Sequence, residues 1–353
     1  MTVSAEVRPD WPHVARARTS VRERDVVIDT MRGVAILMVI GIHSLPDFHG
    51  SALVTAVDAI LRPCVPVFLF VSGYLTAKAG RVPSFIKRLK RTLAPYTIAF
   101  VAAYAFMAAT NPAMDHRLIV TVARYGLAYV FVYYFVFIYI GCTAVLWFVF
   151  AAVGEGDDRR QRLIVLLTLA IFAGLVFGAY LDPLLAHFGF SASLIEEARL
   201  RDVPFWFAFM AAGAIAGAAQ AEGVCHEMRH LLAAATIAAY VAYAGIRIAG
   251  IGDAAAYDSI AFFLYATLFC VTMLGFSYGN AMLATLGSAS YFIYLWHIFP
   301  IMALRHVVGL QQQALLSTVI EYAAALAFCL LLLLLLLPLR RVAGPRLTQW
   351  LGI

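Results

Sequence analysis

Residues 29–45 read DTMRGVAILMVIGIHSL, an apolar run that three ionisable side chains interrupt. Val, Ile, Leu, Met and Gly make up most of the run, which is long enough to cross most of a bilayer as a helix. Asp29, Arg32 and His43 are costly at membrane depth, where ionisable groups usually face a cavity or a partner. The stretch therefore predicts a membrane-spanning helix that carries functional polar residues.

The composition of the whole chain also indicates a membrane protein. Of the 353 residues, 63% are hydrophobic and only 13% are charged. A water-soluble domain of this size cannot bury so much apolar surface, whereas helices in lipid need no polar outer face. We predict an all-α polytopic fold. The five cysteines form no CxxC pair, so we expect neither a disulfide framework nor a cysteine-ligated metal.

Hydropathy divides the chain into about ten predicted spans, which form one membrane domain over residues 26–340. Their limits are near 26–45, 52–77, 93–110, 126–151, 163–181, 203–219, 231–250, 258–276, 283–304 and 315–338. The flanking segments 1–25 and 341–353 are predicted as cytoplasmic tails, the first of them disordered. With this topology, the predicted inner segments hold 18 Lys and Arg residues and the outer loops hold five. The excess predicts that both termini are cytoplasmic. The net charge of +6 then reports orientation and not nucleic-acid binding.

The polar residues of the first span share one helix face. Arg32 and His43 are three helical turns apart, which corresponds to a rise of about 16 Å. Asp29 precedes Arg32 by three positions, so the two side chains can neutralise each other. Arg32 is expected near the cytoplasmic end of the helix and His43 towards the outside.

The second span contains DAILRPCVPVFLFVSGYL, residues 58–75. Asp58 and Arg62 form an i,i+4 pair in its outer half, and Gly73 is expected to permit close helix packing. The next segment, FIKRLKRTLAPY, carries Arg88 and Arg91 on one helix face. This pair is either an orientation signal or a clamp for phosphate groups.

The ninth span contains LGSASYFIYLWHIF, residues 286–299. His297 is expected to reach the depth of His43 from the opposite chain direction, while Glu321 and Arg247 are expected as surface anchors near outer helix ends. The polar residues thus predict two levels in the helix bundle. One is a basic cavity at its cytoplasmic end, with Arg32, Arg88 and Arg91, and the other lies further out and holds the imidazoles of His43 and His297. We expect a narrow passage between the two levels, with Asp58 or His297 close enough to orient the imidazole of His43.

Four sequence blocks resemble the signature blocks of the acyltransferase-3 family of bacterial membrane O-acyltransferases. They are IDTMRGVAILMVIGIH, RPCVPVFLFVSGYL, KRLKRTLAPY and LGSASYFIYLWH. The resemblance implies a ten-helix enzyme of the bacterial inner membrane. Such an enzyme moves an acyl group, with acetyl the expected one, from cytoplasmic acyl-CoA to a hydroxyl of a surface carbohydrate or glycolipid. The family's aromatic block in the fourth span is matched only loosely by YYFVFIYI, residues 133–140.

The resemblance also implies roles for individual residues. The catalytic residue is expected to be His43, with His297 in support; the position of Asp58 in the outer half of the second span adds it as a second supporting residue. The expected donor-binding residues are Arg32, Ser72, Tyr74, Arg88 and Arg91, and no metal is expected. A hydroxyl loses its proton as it attacks a thioester, and a histidine with a pKa near neutrality is suited to accept that proton.

Two other classes of function remain open from the residues alone. HEMRH, residues 226–230, matches the H-E-x-x-H motif of zinc peptidases through His226 and His230. A secondary transporter would also place charges inside the membrane. The expected partners are acyl-CoA, the carbohydrate or glycolipid acceptor and membrane lipid, and no nucleic acid is expected; the sequence does not give the oligomeric state.

Overall fold

The computed structural model describes residues 25–46, 51–80, 84–130, 132–251, 259–306 and 315–342, and these residues form helices joined by turns. The predicted tails lie outside the described residues, apart from Asp25 and the end of the last helix. Helices of the first half are α1 (Val26–Ser44), α2 (Ala52–Leu61), α3 (Cys64–Lys78), α4 (Phe85–Thr110), α5 (Leu118–Gly126), α6 (Tyr134–Val153), α7 (Arg159–His187) and α8 (Ala192–Leu200). Those of the second half are α9 (Val203–Ala219), α10 (Glu222–Glu227), α11 (Arg229–Ala249), α12 (Ile260–Phe276), α13 (Ala281–Ser288), α14 (Ser290–Trp296), α15 (Ile298–His306) and α16 (Leu315–Val342).

Eight segments of the described chain are long and apolar enough to cross a membrane. They are α1, α2 with α3, α4, α6, α7, α8 with α9, α11 and α16. A ninth is formed if α13 is joined to the α14–α15 pair, although a bend of 61° separates them, and α12 is a shorter apolar helix. The all-helical membrane architecture is thus confirmed. The count of ten spans and the cytoplasmic position of the termini remain predictions.

The second and the fourth predicted spans have different limits in the structure. The second predicted span is two helices, because a turn at Arg62 and Pro63 separates α2 from α3. Pro63 lacks a backbone N–H and precedes the first helical residue, where that loss costs little. The fourth predicted span, 126–151, begins later, at Tyr134, because α5 and a loop occupy the residues before it. Apolar composition extends through that loop, so hydropathy did not mark its boundary.

Glycines set the distance between the helices that carry the predicted site. A Cβ added to Gly287 of α13 would lie 1.8 Å from the carbonyl oxygen of Asp29 in α1, and one added to Gly33 would lie 2.0 Å from that of Leu283. The expectation for Gly73 of α3 is also confirmed, since its Cβ would lie 1.9 Å from the carbonyl oxygen of Met210. Small residues let helix backbones approach this closely in a membrane protein.

Candidate active site

A cavity of about 260 Å³ opens where the N-terminal part of α1, the C-terminal half of α3 and the start of α4 meet α13 and α14. We call it the basic cavity. Arg32, Ser72 and Arg91 line it, together with Thr92 and Ser288. Asp29 lies beside Arg32, with 3.4 Å between Oδ1 and Nη1. The structure therefore brings three of the five predicted donor-binding residues to one cavity, and Asp29 pairs with Arg32 as predicted.

The other two predicted donor-binding residues have contacts elsewhere. Arg88 donates a hydrogen bond from Nη2 to Oγ1 of Thr76, at 2.6 Å. Tyr74 donates to Oε1 of Glu222 at 2.5 Å and accepts a hydrogen bond from Lys78 at 2.8 Å. Burial raises the pKa of Glu222, but the hydrogen bonds from Lys78 and Tyr74 outweigh it and hold that pKa below its usual range. Tyr74 thus contributes to a polar cluster outside the basic cavity.

Aromatic side chains form much of the remaining cavity wall, and sequence reasoning assigned them no role. These residues are Phe68, Phe135, Tyr139, Tyr291 and Tyr294. The hydroxyl of Tyr294 donates to the carbonyl oxygen of Val132, and that of Tyr291 donates to the carbonyl oxygen of Thr92, each at 2.7 Å. Phe135 and Tyr139 belong to the segment 133–140, whose loose match to the family block was the available signal.

The imidazole rings of His43 and His297 lie side by side, with 5.4 Å between their centroids. His297 is fully buried, and His43 is half-buried at the last turn of α1. The ring of Tyr294 lies 6.2 Å from that of His297, so Tyr294 contacts both the basic cavity and the imidazole pair. The expectation that the two histidines reach similar depth is therefore confirmed.

Backbone carbonyls fix the protonation pattern of His297. Its Nδ1 lies 2.8 Å from the carbonyl oxygen of Tyr294 and 3.2 Å from that of Ile293. A carbonyl only accepts hydrogen bonds, so Nδ1 carries the proton and Nε2 keeps a lone pair. Nε2 is buried and has no hydrogen-bond partner among the described residues. It is a free acceptor beside the ring of His43.

Asp58 is held by arginines and not by His43. Its carboxylate accepts two hydrogen bonds from Arg62, each at 2.9 Å, and a third from Arg247 at 2.6 Å. The predicted i,i+4 pair with Arg62 is present, but Arg247 is a buried partner and not the surface anchor expected from the sequence. The described structure thus gives His297, and not Asp58, a direct contact with His43.

Glu321 also differs from its predicted role as a surface anchor. Its side chain is 1% exposed, and its carboxylate accepts hydrogen bonds from Arg305 at 2.9 and 2.6 Å. Arg305 donates a further hydrogen bond, from Nη2 to the carbonyl oxygen of His43, at 2.9 Å. Arg305 and Glu321 therefore hold the turn of α1 that carries His43.

The model of the acyltransferase-3 family, described as an acyltransferase domain, matches residues 25–337, which is nearly the whole chain. The chain belongs to the acyltransferase-3 family. No curated protein and no solved structure gives a significant match. Family membership, together with the apolar helices, identifies a membrane acyltransferase.

The basic cavity of this acyltransferase does not extend to His43. Neither imidazole is among the residues that line the cavity, and Tyr294 is the residue that touches both regions. The predicted open passage between the two levels is therefore not present in the described structure. An acyl group that entered from the basic cavity would have to pass Tyr294. This obstruction was not predicted, because the sequence does not give the orientation of the Tyr294 ring.

The H-E-x-x-H motif of this acyltransferase is divided between two helices. α10 ends at Glu227 and α11 begins at Arg229, so His226 and His230 do not lie on one continuous helix. Nδ1 of His226 lies 3.0 Å from the carbonyl oxygen of Gly275, and the ring of His230 packs on Phe276. Within the described ranges, no three His, Cys, Asp or Glu side chains are grouped to hold a metal ion. The geometry thus gives no support to a zinc peptidase.

Proposed function

We propose that this acyltransferase moves an acyl group, acetyl being the expected one, from cytoplasmic acyl-CoA to a hydroxyl of a surface carbohydrate or glycolipid. The observation that carries the proposal is the sequence of contacts from Arg32 and Arg91 in the basic cavity, through Tyr294, to the pair of His297 and His43. It provides a site for an anionic head group at one end and a proton acceptor further along the bundle.

The basic cavity suits the head group of acyl-CoA. Guanidinium groups form strong, charge-assisted hydrogen bonds with phosphate oxygens, and Arg32 and Arg91 are two such groups on different helices. The rise of about 16 Å from Arg32 to His43 is a length that an extended pantetheine arm spans. Displacement of the Tyr294 ring is required for the arm to reach the imidazoles. We place the protein in the inner bacterial membrane. The distribution of Lys and Arg supports an orientation with both termini in the cytoplasm.

In the proposed chemical step, His43 is the general base. The acceptor hydroxyl oxygen forms a bond to the thioester carbonyl carbon as its proton passes to the free nitrogen of His43, and the carbon–sulfur bond then breaks. The imidazolium returns this proton to the departing CoA thiolate, so the histidine is regenerated. In the proposed step, the second ring nitrogen of His43 carries the proton and donates it in a hydrogen bond to Nε2 of His297, which orients the ring and leaves the first nitrogen as the base.

Membership of the acyltransferase family favours this function over a secondary transporter. A transporter would use the same intramembrane charges to bind its substrate, but it would leave the thioester of acyl-CoA intact. Turnover of acyl-CoA by the purified protein therefore separates the two functions.

The decisive experiment is acyl transfer by His43→Ala in lipid nanodiscs, measured as release of CoA in the presence of glycoside acceptors. General-base catalysis typically contributes about 10²–10⁴-fold, so we expect a loss of at least about 100-fold. His187→Ala, which removes an exposed histidine from the end of α7, is the matched control. Full activity of a normally folded His43→Ala protein would exclude the base assignment.

A further inference from the structure

A second and larger cavity, of about 530 Å³, lies where the C-terminal ends of α4 and α15 meet α8 and the start of α6. We call it the distal cavity. Its volume is within the range of about 300–1,000 Å³ typical of small-molecule sites. Met302 and His306 of α15 form one wall, and Asn111, Tyr129, Glu197 and Arg201 are also part of the lining.

Along the chain, residues that line the two cavities flank His297 on its two sides. Tyr294, which lines the basic cavity, precedes His297 by one helical turn, whereas Met302 follows it by five residues. Five residues of helix correspond to a rise of about 7.5 Å. The wall that Met302 contributes to the distal cavity therefore lies further along the helix from His297, in the direction away from Tyr294 and the basic cavity.

The charged groups of the distal cavity are arranged in a rigid, neutral pair. Arg201 donates from Nε to the carbonyl oxygen of Leu127 at 2.8 Å, and its Nη1 bonds the carboxylate of Glu197. The guanidinium also lies 5.2 Å from the ring centroid of Tyr129. Because Glu197 neutralises Arg201, the cavity has no strong preference for an anionic ligand. The side chain of Arg201 is only 12% exposed, so these contacts are largely shielded from solvent.

Several polar atoms of the distal cavity remain available to a ligand. In the described part of the chain, Nη2 of Arg201 and the side-chain amide nitrogen of Asn111 have no acceptor, and Oε1 of Glu197 has no donor. A sugar hydroxyl both donates and accepts hydrogen bonds, so it matches this mixture. Tyr129 is 49% exposed, and the ring face not covered by Arg201 is an apolar platform for the C–H face of a pyranose.

We infer that the distal cavity binds the acyl acceptor as a neutral pyranose, stacked on Tyr129 and hydrogen-bonded to Glu197, Arg201 and Asn111. This inference rests on the proposed function, since it supplies the hydroxyl that His43 deprotonates. The donor and the acceptor then enter from opposite ends of the bundle and meet at the imidazole pair.

The test uses the full chain in nanodiscs with acetyl-CoA and the p-nitrophenyl glycosides of glucose, galactose, N-acetylglucosamine and glucuronic acid. Tyr129→Ala and Asn111→Ala should each raise the KM for the neutral glycosides by at least about fivefold and leave the KM for acetyl-CoA unchanged. The glucuronide should be a weaker acceptor than the glucoside. Tyr180→Ala, which removes an exposed tyrosine from α7, should change neither constant. If Tyr129→Ala fails to fold, Tyr129→Leu keeps the apolar bulk and removes the flat ring.

Equilibrium binding of the same glycosides separates failure of this inference from failure of the proposed function. If the wild type releases no CoA, the proposed function fails, and loss of glycoside binding in Tyr129→Ala would still support the distal cavity as a sugar site. Three results would overturn the inference. The first is that Tyr129→Ala and Asn111→Ala both keep the wild-type KM and affinity for the neutral glycosides. The second is that the wild type prefers the glucuronide to the glucoside. The third is that the wild type binds no neutral glycoside.

Discussion

The carboxylate of Glu321 accepts two hydrogen bonds from Arg305, whose guanidinium also donates to the carbonyl oxygen of His43. Three helices, α1, α15 and α16, thus meet at one guanidinium. The carbonyl of His43 belongs to the last turn of α1, where carbonyls have no partner within the helix. Arg305 supplies that partner and fixes the turn that positions the imidazole.

Replacement of Glu321 by Leu should destabilise the protein by about 3–5 kcal/mol, because it removes the buried carboxylate that accepts two hydrogen bonds from Arg305 and so breaks the ion pair. The measurement is unfolding in detergent, with Glu196→Leu as the control because Glu196 is exposed. The double variant Glu321→Leu/Arg305→Met should regain much of the loss. Equal stability of Glu321→Leu and the wild type would show that the pair contributes nothing.

Arg91→Gln should raise the KM for acetyl-CoA at least about tenfold with little change in kcat, because the lost interaction is with a part of the donor remote from the reaction. Lys87→Gln is the matched control, since Lys87 is exposed on the same helix and does not line the basic cavity. Steady-state kinetics at two salt concentrations provide the measurement. An equal effect in both variants would indicate general attraction by positive charge and not a phosphate contact.

Gly287→Ala should separate α13 from α1 and reduce stability by about 1–3 kcal/mol, since its Cβ would overlap the backbone of Asp29. Arg32, one turn away, should move with α1, so the KM for acetyl-CoA should rise as well. In Gly245→Ala the added Cβ meets nothing within 4 Å, so this variant should be neutral or slightly stabilising. Thermal unfolding and donor kinetics on both variants check the prediction, which fails if the two behave alike.

Much of the helical architecture follows from hydropathy alone. α1 was predicted at 26–45 and is found at Val26–Ser44, because an apolar run with polar flanks defines its own ends. Hydropathy treated the second and the ninth predicted spans as single segments, whereas the structure divides them at Pro63 and at Ala289. The prolines of the second span indicated a bend there, but the apolar segments on both sides of each break look alike in hydropathy, so neither helix boundary followed from it.

The candidate site was predictable where residues share a helix and less so where they meet across helices. The spacing of Asp29, Arg32 and His43 placed them on one face, and the matching depths of His43 and His297 followed from chain direction. The partners of Arg247 and Glu321 did not follow, because a pairing between distant helices depends on how each helix is rotated. A charged residue near a helix end gives the same sequence pattern whether its side chain faces lipid or a buried carboxylate.

The hydrogen bond from Arg305 to His43 also has a consequence for biosynthesis. α1 leaves the ribosome before α15 and α16, the helices to which Arg305 and Glu321 belong. The turn that carries His43 therefore lacks this partner until α15 and α16 have been made. Under the proposed function, a chain interrupted before α15 would carry His43, Arg32 and Arg91 without the guanidinium that holds the His43 turn, and we expect it to be inactive towards a thioester.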